Sequence, residues 1–181
     1  MNKYTLFLIL IVIVAGCGKP GMQVQTTNNF GKVSDFDTTL VTLKTANYKN
    51  VKGQLLYLPI YSNIPFHTDT TAHEFDMSAF VAIHNTDLSS SIRIIKVLYF
   101  NTQGKLVYDF LKGEVKVLQP LETIDYYVPH EDKSGTGANF LIEWISDKPV
   151  NEPLIESITF NLKNYHSAAI ISQGKIIREV K

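Results

Sequence analysis

The chain has 181 residues, 45% of them hydrophobic and 19% charged, with 17 basic side chains balancing 17 acidic ones. Low charge with abundant aliphatic residues excludes a disordered chain. The lack of a basic excess removes the counterion-release term that drives nucleic-acid binding, so no nucleic-acid partner is expected.

Lys3 gives a positively charged start, and Thr5 to Val14 is an unbroken run of Thr, Leu, Phe, Ile and Val. Such a run is too short for a membrane span, which needs roughly 20 residues, and reads as the apolar region of a secretory signal. Ala15 and Gly16 directly before Cys17 resemble a bacterial lipobox, the mark read by lipoprotein signal peptidase. The resemblance implies that residues 1–16 are a signal peptide cleaved after Gly16. It also implies that the Cys17 thiol carries a diacylglyceryl group, palmitate-like chains holding the mature protein to a membrane. Gly18 rather than Asp follows Cys17, so the inner-membrane retention signal is absent. The expected location is the cell envelope, on the outer membrane facing the periplasm where the host has two membranes. Cys17 is the only cysteine, so no intramolecular disulfide can form and stability rests on the core.

Residues 17–37 read as the lipidated N-terminus and a tether, rich in Gly, Gln, Thr and Asn without apolar periodicity. Flexible-chain statistics give twenty such residues a reach of about 25 Å. A single folded domain is expected over 38–181. It opens with a strand at Thr38 to Thr45, where Leu40, Thr42 and Lys44 alternate with Thr39, Val41 and Leu43.

From there the period is two. Met77, Ala79, Val81 and Ile83 share one face of the segment Asp76 to His84, with Phe80 and Ala82 among the polar residues opposite. Ile124, Tyr126 and Val128 oppose Thr123, Asp125 and Tyr127, and Leu154, Ile158, Phe160 and Leu162 oppose Ser157, Thr159 and Asn161. This alternation predicts half-buried antiparallel strands. Ile92 to Phe100 and Phe140 to Ile145 are apolar on both faces, as strands deep in a sandwich would be. Pro59 interrupts an apolar run and suggests an edge strand or a bulge. Gly104 and Gly174 suggest hairpins at Phe100–Lys105 and Ser172–Lys175. No segment carries a helical stripe. The sum is an all-β fold, an antiparallel two-sheet β-sandwich, immunoglobulin-like in the broad sense.

Candidate chemistry is sparse. His67 and His73, with Asp69, Glu74 and Asp76, fall in the polar stretch Asn63 to Phe75, read as a loop. They carry the alternative reading of a metal-assisted or hydrolase-like enzyme, although their spacing matches no ligand pattern and no metal is assigned. Ser134-Gly135-Thr136-Gly137 lacks the following helix that a phosphate loop needs, because the strand-like Phe140 to Trp144 follows it. There is no Gly-x-Ser-x-Gly elbow and the lone thiol is taken by lipid, so no catalytic residue and no cofactor are assigned. Asp125 and Glu143 are a carboxylate pair that adjacent strands could bring together. Tyr57 and Tyr61, flanking Pro59, and Ser134, Thr136 and Asn139 are the candidate ligand-binding residues, the tyrosines docking a partner along a sheet edge.

Leu56-Tyr57-Leu58-Pro59-Ile60-Tyr61-Ser62, Ile83-His84-Asn85-Thr86-Asp87, Gly104-Lys105-Leu106-Val107 and the run from Ser134 to Trp144 resemble the domain-of-unknown-function 3124 family of bacterial exported proteins. The resemblance spans about Leu55 to Ile177 and implies no particular activity, so it carries over no catalytic or binding residue. The expected function is a non-catalytic envelope module, anchored through Cys17, that binds an envelope protein, a glycan or a small ligand through loops or an exposed edge.

Overall fold

The computed structural model describes residues 51–68, 71–162 and 167–180. The strand expected at Thr38 to Thr45 lies outside them. Twelve strands follow in order: β1 (Lys52–Pro59), β2 (Asn63–Thr68), β3 (Thr71–Asp76), β4 (Ser78–His84), β5 (Ile92–Phe100), β6 (Leu106–Asp109), β7 (Lys116–Leu118), β8 (Thr123–Val128), β9 (Asn139–Ser146), β10 (Leu154–Asn161), β11 (Ala168–Gln173) and β12 (Lys175–Val180). One sheet runs β12-β1-β9-β5-β6, with β7 also paired to β5; a second runs β11-β10-β4-β8; β2 and β3 form a separate hairpin. All pairings are antiparallel. The chain is the all-β sandwich its periodicity predicts.

The core lies between the sheets. Leu56 and Leu58 of β1, Val97 and Tyr99 of β5, and Phe140, Ile142 and Trp144 of β9 meet Ala79, Val81 and Ile83 of β4, Tyr126 and Val128 of β8, and Ile155 of β10. Aromatic rings close one end, with Phe110 edge-on to Tyr126 and stacked on Phe140, itself stacked on Tyr99. The Tyr126 hydroxyl is buried with no hydrogen-bond partner among the described residues, and burial, then the Asp125 charge, pushes its pKa up to about 12.

Strand β9 is central and buried on both faces. Gly53 lets β1 close on it, since a Cβ there would sit 2.0 Å from the Trp144 carbonyl oxygen. A bulge in β5 between Ile94 and Lys96 turns Lys96 to the face away from the second sheet. Its Nζ stands 2.9 Å from Glu143 on β9, an ion pair almost wholly out of water. Asp125 lies on β8 in the other sheet, paired with Ala82. Asp125 and Glu143 therefore do not meet, and Glu143 has a lysine partner instead.

Three local expectations are corrected. The polar stretch Asn63 to Phe75 is a hairpin, not a loop, because its β2 and β3 halves pair in register from Asn63↔Asp76 to Thr68↔Thr71. Strand β1 is internal, and Pro59 closes it two residues beyond the last β12 pair, Tyr57↔Lys175; its bulge lies earlier, between Leu55 and Leu56. Gly174 makes no hairpin, since β11 and β12 belong to different sheets. Its N–H donates to Ile155 O at 2.8 Å, and Leu56 and Ile155 crowd the place of a side chain. The expected hairpin at Gly104 does form, with φ at 73°.

The Asn85-Thr86-Asp87 turn ties one pole together. Asn85 Nδ2 donates to the carbonyls of Ser90, Leu118 and Gln119. Asp87 accepts from the backbone N–H groups of Asn151, Ser89 and Ser90, which hold its pKa down to about 2 from the ordinary 3.8.

Two outcomes are expected. A folded pKa below the unfolded one adds stability that is whole above 3.8 and is lost as pH falls through about 2; acid unfolding curves of Asp87→Asn should therefore lack part of the wild-type loss in that window. In a double-mutant cycle, Lys96→Met or Glu143→Leu alone should cost about 3–5 kcal/mol by urea unfolding, whereas the pair together should be near neutral.

Candidate functional site

Strand β10 is the key to the exposed surface. Its pairing with β4 sets Ile155↔Ile83, Ser157↔Val81 and Thr159↔Ala79, so Ser157, Thr159 and Asn161 face inward and are buried. Ser157 Oγ donates to the Pro59 carbonyl at 3.2 Å, and Asn161 Nδ2 donates to the Asp76 carbonyl. The apolar set Leu154, Ile158, Phe160 and Leu162 is therefore turned outward, the reverse of what hydrophobicity alone dictates.

Register then aligns these residues across the whole four-stranded sheet. Tyr127 pairs with Phe80, Phe80 with Ile158, and Ile158 with Ile171. The row is open to solvent, at 47%, 41%, 42% and 70% exposure in that order. Phe160 sits two pairs along, its ring nearly parallel to Phe80 with centroids 5.8 Å apart. Tyr127 packs on Phe80 at 5.0 Å, and its hydroxyl donates to Ser78 Oγ. Among the described residues β11 is an edge strand of this sheet, and its sequence Ala-Ala-Ile-Ile-Ser-Gln has neither charge nor proline.

Beside Phe160 the row runs into a polar groove of about 610 Å³, lined among others by Asp76, His130, Lys133 and Asn161. Lys133 Nζ donates to Asp76 Oδ1 at 2.5 Å and to Glu74 Oε2 at 3.4 Å. Asn63 Nδ2 donates to the same two carboxylates at 2.9 and 3.0 Å. Burial works to raise the Asp76 pKa, but the bonds from Lys133 and Asn63 outweigh it and the net shift is downward. Asp76 in turn, through its hydrogen bond, raises the pKa of Lys133. His130 Nε2 is buried and has no hydrogen-bond partner among the described residues. A second concavity of about 590 Å³ opens near Val51 beside Trp144 and Glu152. Its polar groups already satisfy one another, through Gln54 bonded to Glu152 at 2.7 Å and to Trp144 at 3.3 Å, so it offers less to a ligand.

The residues singled out from sequence are scattered. Tyr57 packs with Leu55, Leu98, Phe100 and Leu141 on the six-stranded sheet. Tyr61 is half-buried just past β1. Ser134 is bound into a buried network in which Tyr99 Oη donates to Asp132 at 2.6 Å and Asp132 accepts from Ser134 Oγ and N. Burial and the Asp132 charge push the Tyr99 pKa far up. The turn at Gly135, with φ at 94°, rests on Ser62 Oγ and abuts Thr102. Thr136 is exposed, and Asn139 Nδ2 donates to the Gly137 carbonyl within its own turn. Among the described residues these five line no common pocket. Asp76 and Glu74 share the groove margin with Lys133, while His73 and the β2 strand position of His67 lie farther along the hairpin. No group of three or more metal-ligating side chains occurs among the described residues.

Sequence reading missed Phe80, Tyr127, Ile158 and Ile171 as a unit. The visible signal was Phe80 on the polar side of β4 together with a β10 whose inward face could be either set.

Lys133→Met should raise the Asp76 pKa, read by carboxyl-carbon NMR titration, while an unchanged value would mean that the lysine does not hold the carboxylate.

The chain matches the model of the family described as "Protein of unknown function (DUF3124)" over residues 40–177. No curated protein matches it. The crystal structure of Thermotoga maritima 1070 is similar at 10% identity and a TM-score of 0.40, covering 67% of this chain and 92% of that one, a level from which nothing about activity follows.

Proposed function

This chain belongs to the DUF3124 family, and we propose that it is a lipid-anchored envelope protein that binds a partner polypeptide and catalyses no reaction. The row Tyr127–Phe80–Ile158–Ile171 carries the reading. An apolar strip with a charged margin has the anatomy of a protein interface, apolar at its centre and polar at its rim. Edge strand β11 adds a second element of recognition, since it lacks the charges and prolines that keep strand edges from pairing. An extended partner segment added along β11 would set its alternate side chains in line with Ile171 and Ile158. Aliphatic Ile158 and Ile171 favour a polypeptide over a glycan, because a sugar offers a flat face for aromatic rings and hydroxyls for polar ones, with little use for branched aliphatic tips.

Groove chemistry supports binding over catalysis. A carboxylate fixed by Lys133 and Asn63 and kept ionised is a poor proton donor, and one saturated with donors is a weak base. The same ion pairs suit a rim that orients a charged partner. Anchorage rests on the lipobox-like Ala15-Gly16-Cys17 and on the absence of other cysteines.

The test places a photo-crosslinking amino acid at Tyr127, Ile158 or Ile171 in cells, with Gln103 and Lys116 as controls. Polypeptide adducts at the first three and none at the controls are expected, on a protein whose N-terminus by mass spectrometry is a lipid-modified Cys17. Equal adducts everywhere, or none on the row, would overturn the binding face; an unmodified Cys17 would overturn the anchorage.

A further inference from the structure

The strands of the four-stranded sheet carry fixed charge of one sign only. Strands β4, β8, β10 and β11 contain Asp125 and Glu156 but neither Lys nor Arg. The strand-borne cations Lys52, Arg93, Lys96, Lys116, Lys175 and Arg178 all belong to the six-stranded sheet. Basic and acidic side chains are equal in number over the whole chain, so this sorting gives the open face a negative field that the chain as a whole lacks.

Register puts both carboxylates in one row. Asp125 pairs with Ala82, Ala82 with Glu156, and Glu156 with Gln173. The row lies two residues along the strands from Tyr127–Phe80–Ile158–Ile171, about 7 Å away on the same face. Cross-strand neighbours stand roughly 5 Å apart at Cβ, so the short Ala82 side chain leaves a dip with a carboxylate on either side. Asp125 is exposed and makes no hydrogen bond or ion pair among the described residues. Glu156 has one charged neighbour there, His84, whose Nε2 stands 3.7 Å from Oε1. At the groove, by contrast, Asp76 and Glu74 already share Lys133.

We propose that the partner lays a cationic extended segment over this face, an apolar side chain on the Tyr127–Phe80–Ile158–Ile171 row and, two residues away, a Lys or Arg between Asp125 and Glu156. The proposal rests on the partner-binding reading and names the chemistry of that partner. Residues two apart share one side of an extended chain, and that spacing matches the offset between the two rows. Phe80 borders the dip along β4, so the cation meets a ring as well as two carboxylates. A second copy is the poorer occupant, because through this face it would bring the same two carboxylates and no strand-borne cation.

A random dodecapeptide library displayed on phage and panned against the full chain in detergent tests this. The selected peptides are expected to carry Lys or Arg two residues from an apolar side chain. A synthetic copy of the most enriched peptide should bind roughly five- to tenfold more weakly to the Asp125→Asn/Glu156→Gln variant, the loss of two screened ion pairs. Binding to the wild-type chain should weaken likewise at high salt; should the variant prove unfolded by circular dichroism, that salt series decides alone. Cationic peptides indifferent to the double substitution and to salt would overturn the proposal. Neutral or acidic peptides whose binding is lost on Ile171→Asn would overturn the cationic partner and leave the binding face standing. A library with no binder sensitive to Ile171→Asn would overturn the face, and this proposal with it. A dimer in sedimentation that Ile171→Asn dissociates would give the face to a second copy and overturn the proposal as well.

Discussion

Strand β9 sets the terms for everything around it. Phe140, Ile142 and Trp144 point into the core, Leu141, Glu143 and Ile145 point the other way, and both sets are buried. Such a strand has no polar side to give to water, so it needs a packed layer on each face and a paired strand on each edge. Strands β1 and β5 supply the edges, and Gly53 permits the close approach of the first. Glu143 is the exception among its apolar neighbours, and the β5 bulge answers it by delivering Lys96. Bulges commonly re-aim a side chain in this way. With no second cysteine in the chain, this packing is the main source of stability.

Much of the architecture is legible in the sequence, because period-two patterning reports directly on half-buried strands. Strands β4 and β8 carry Ala79, Val81, Ile83, Tyr126 and Val128 inward as the alternation predicts, and the doubly apolar runs at Ile92 and Phe140 are two of the three inner strands of the larger sheet. What escapes is information held in register. In β10 the inward set is chosen by pairing with β4, and hydroxyl and amide groups that reach backbone carbonyls tolerate burial there. The hairpin at Asn63 to Asp76 is polar because it stands outside the two packed sheets, so composition alone makes it look like a loop. Gly174 reads as a turn glycine yet serves a change of sheet, a distinction set by Leu56 and Ile155 far away in sequence. The candidate site was legible only at its margin, in Asp76 and Glu74, since its centre is a row assembled from four strands.

The two outer faces divide the labour. One buries the Lys96–Glu143 pair among apolar side chains; the other exposes aromatic and branched aliphatic groups beside a charged groove. The DUF3124 family model names no task, so the chemistry of that open row carries the proposed binding role.

Where β1 begins has a mechanical consequence. A pull applied from the N-terminal side of Val51 runs along β1, which is laddered to β9 over its full length and to β12 on its other side. Antiparallel hydrogen bonds lie across the strand axis, so such a load shears the whole ladder at once instead of peeling it rung by rung. The geometry suits a domain that must hold its shape under load.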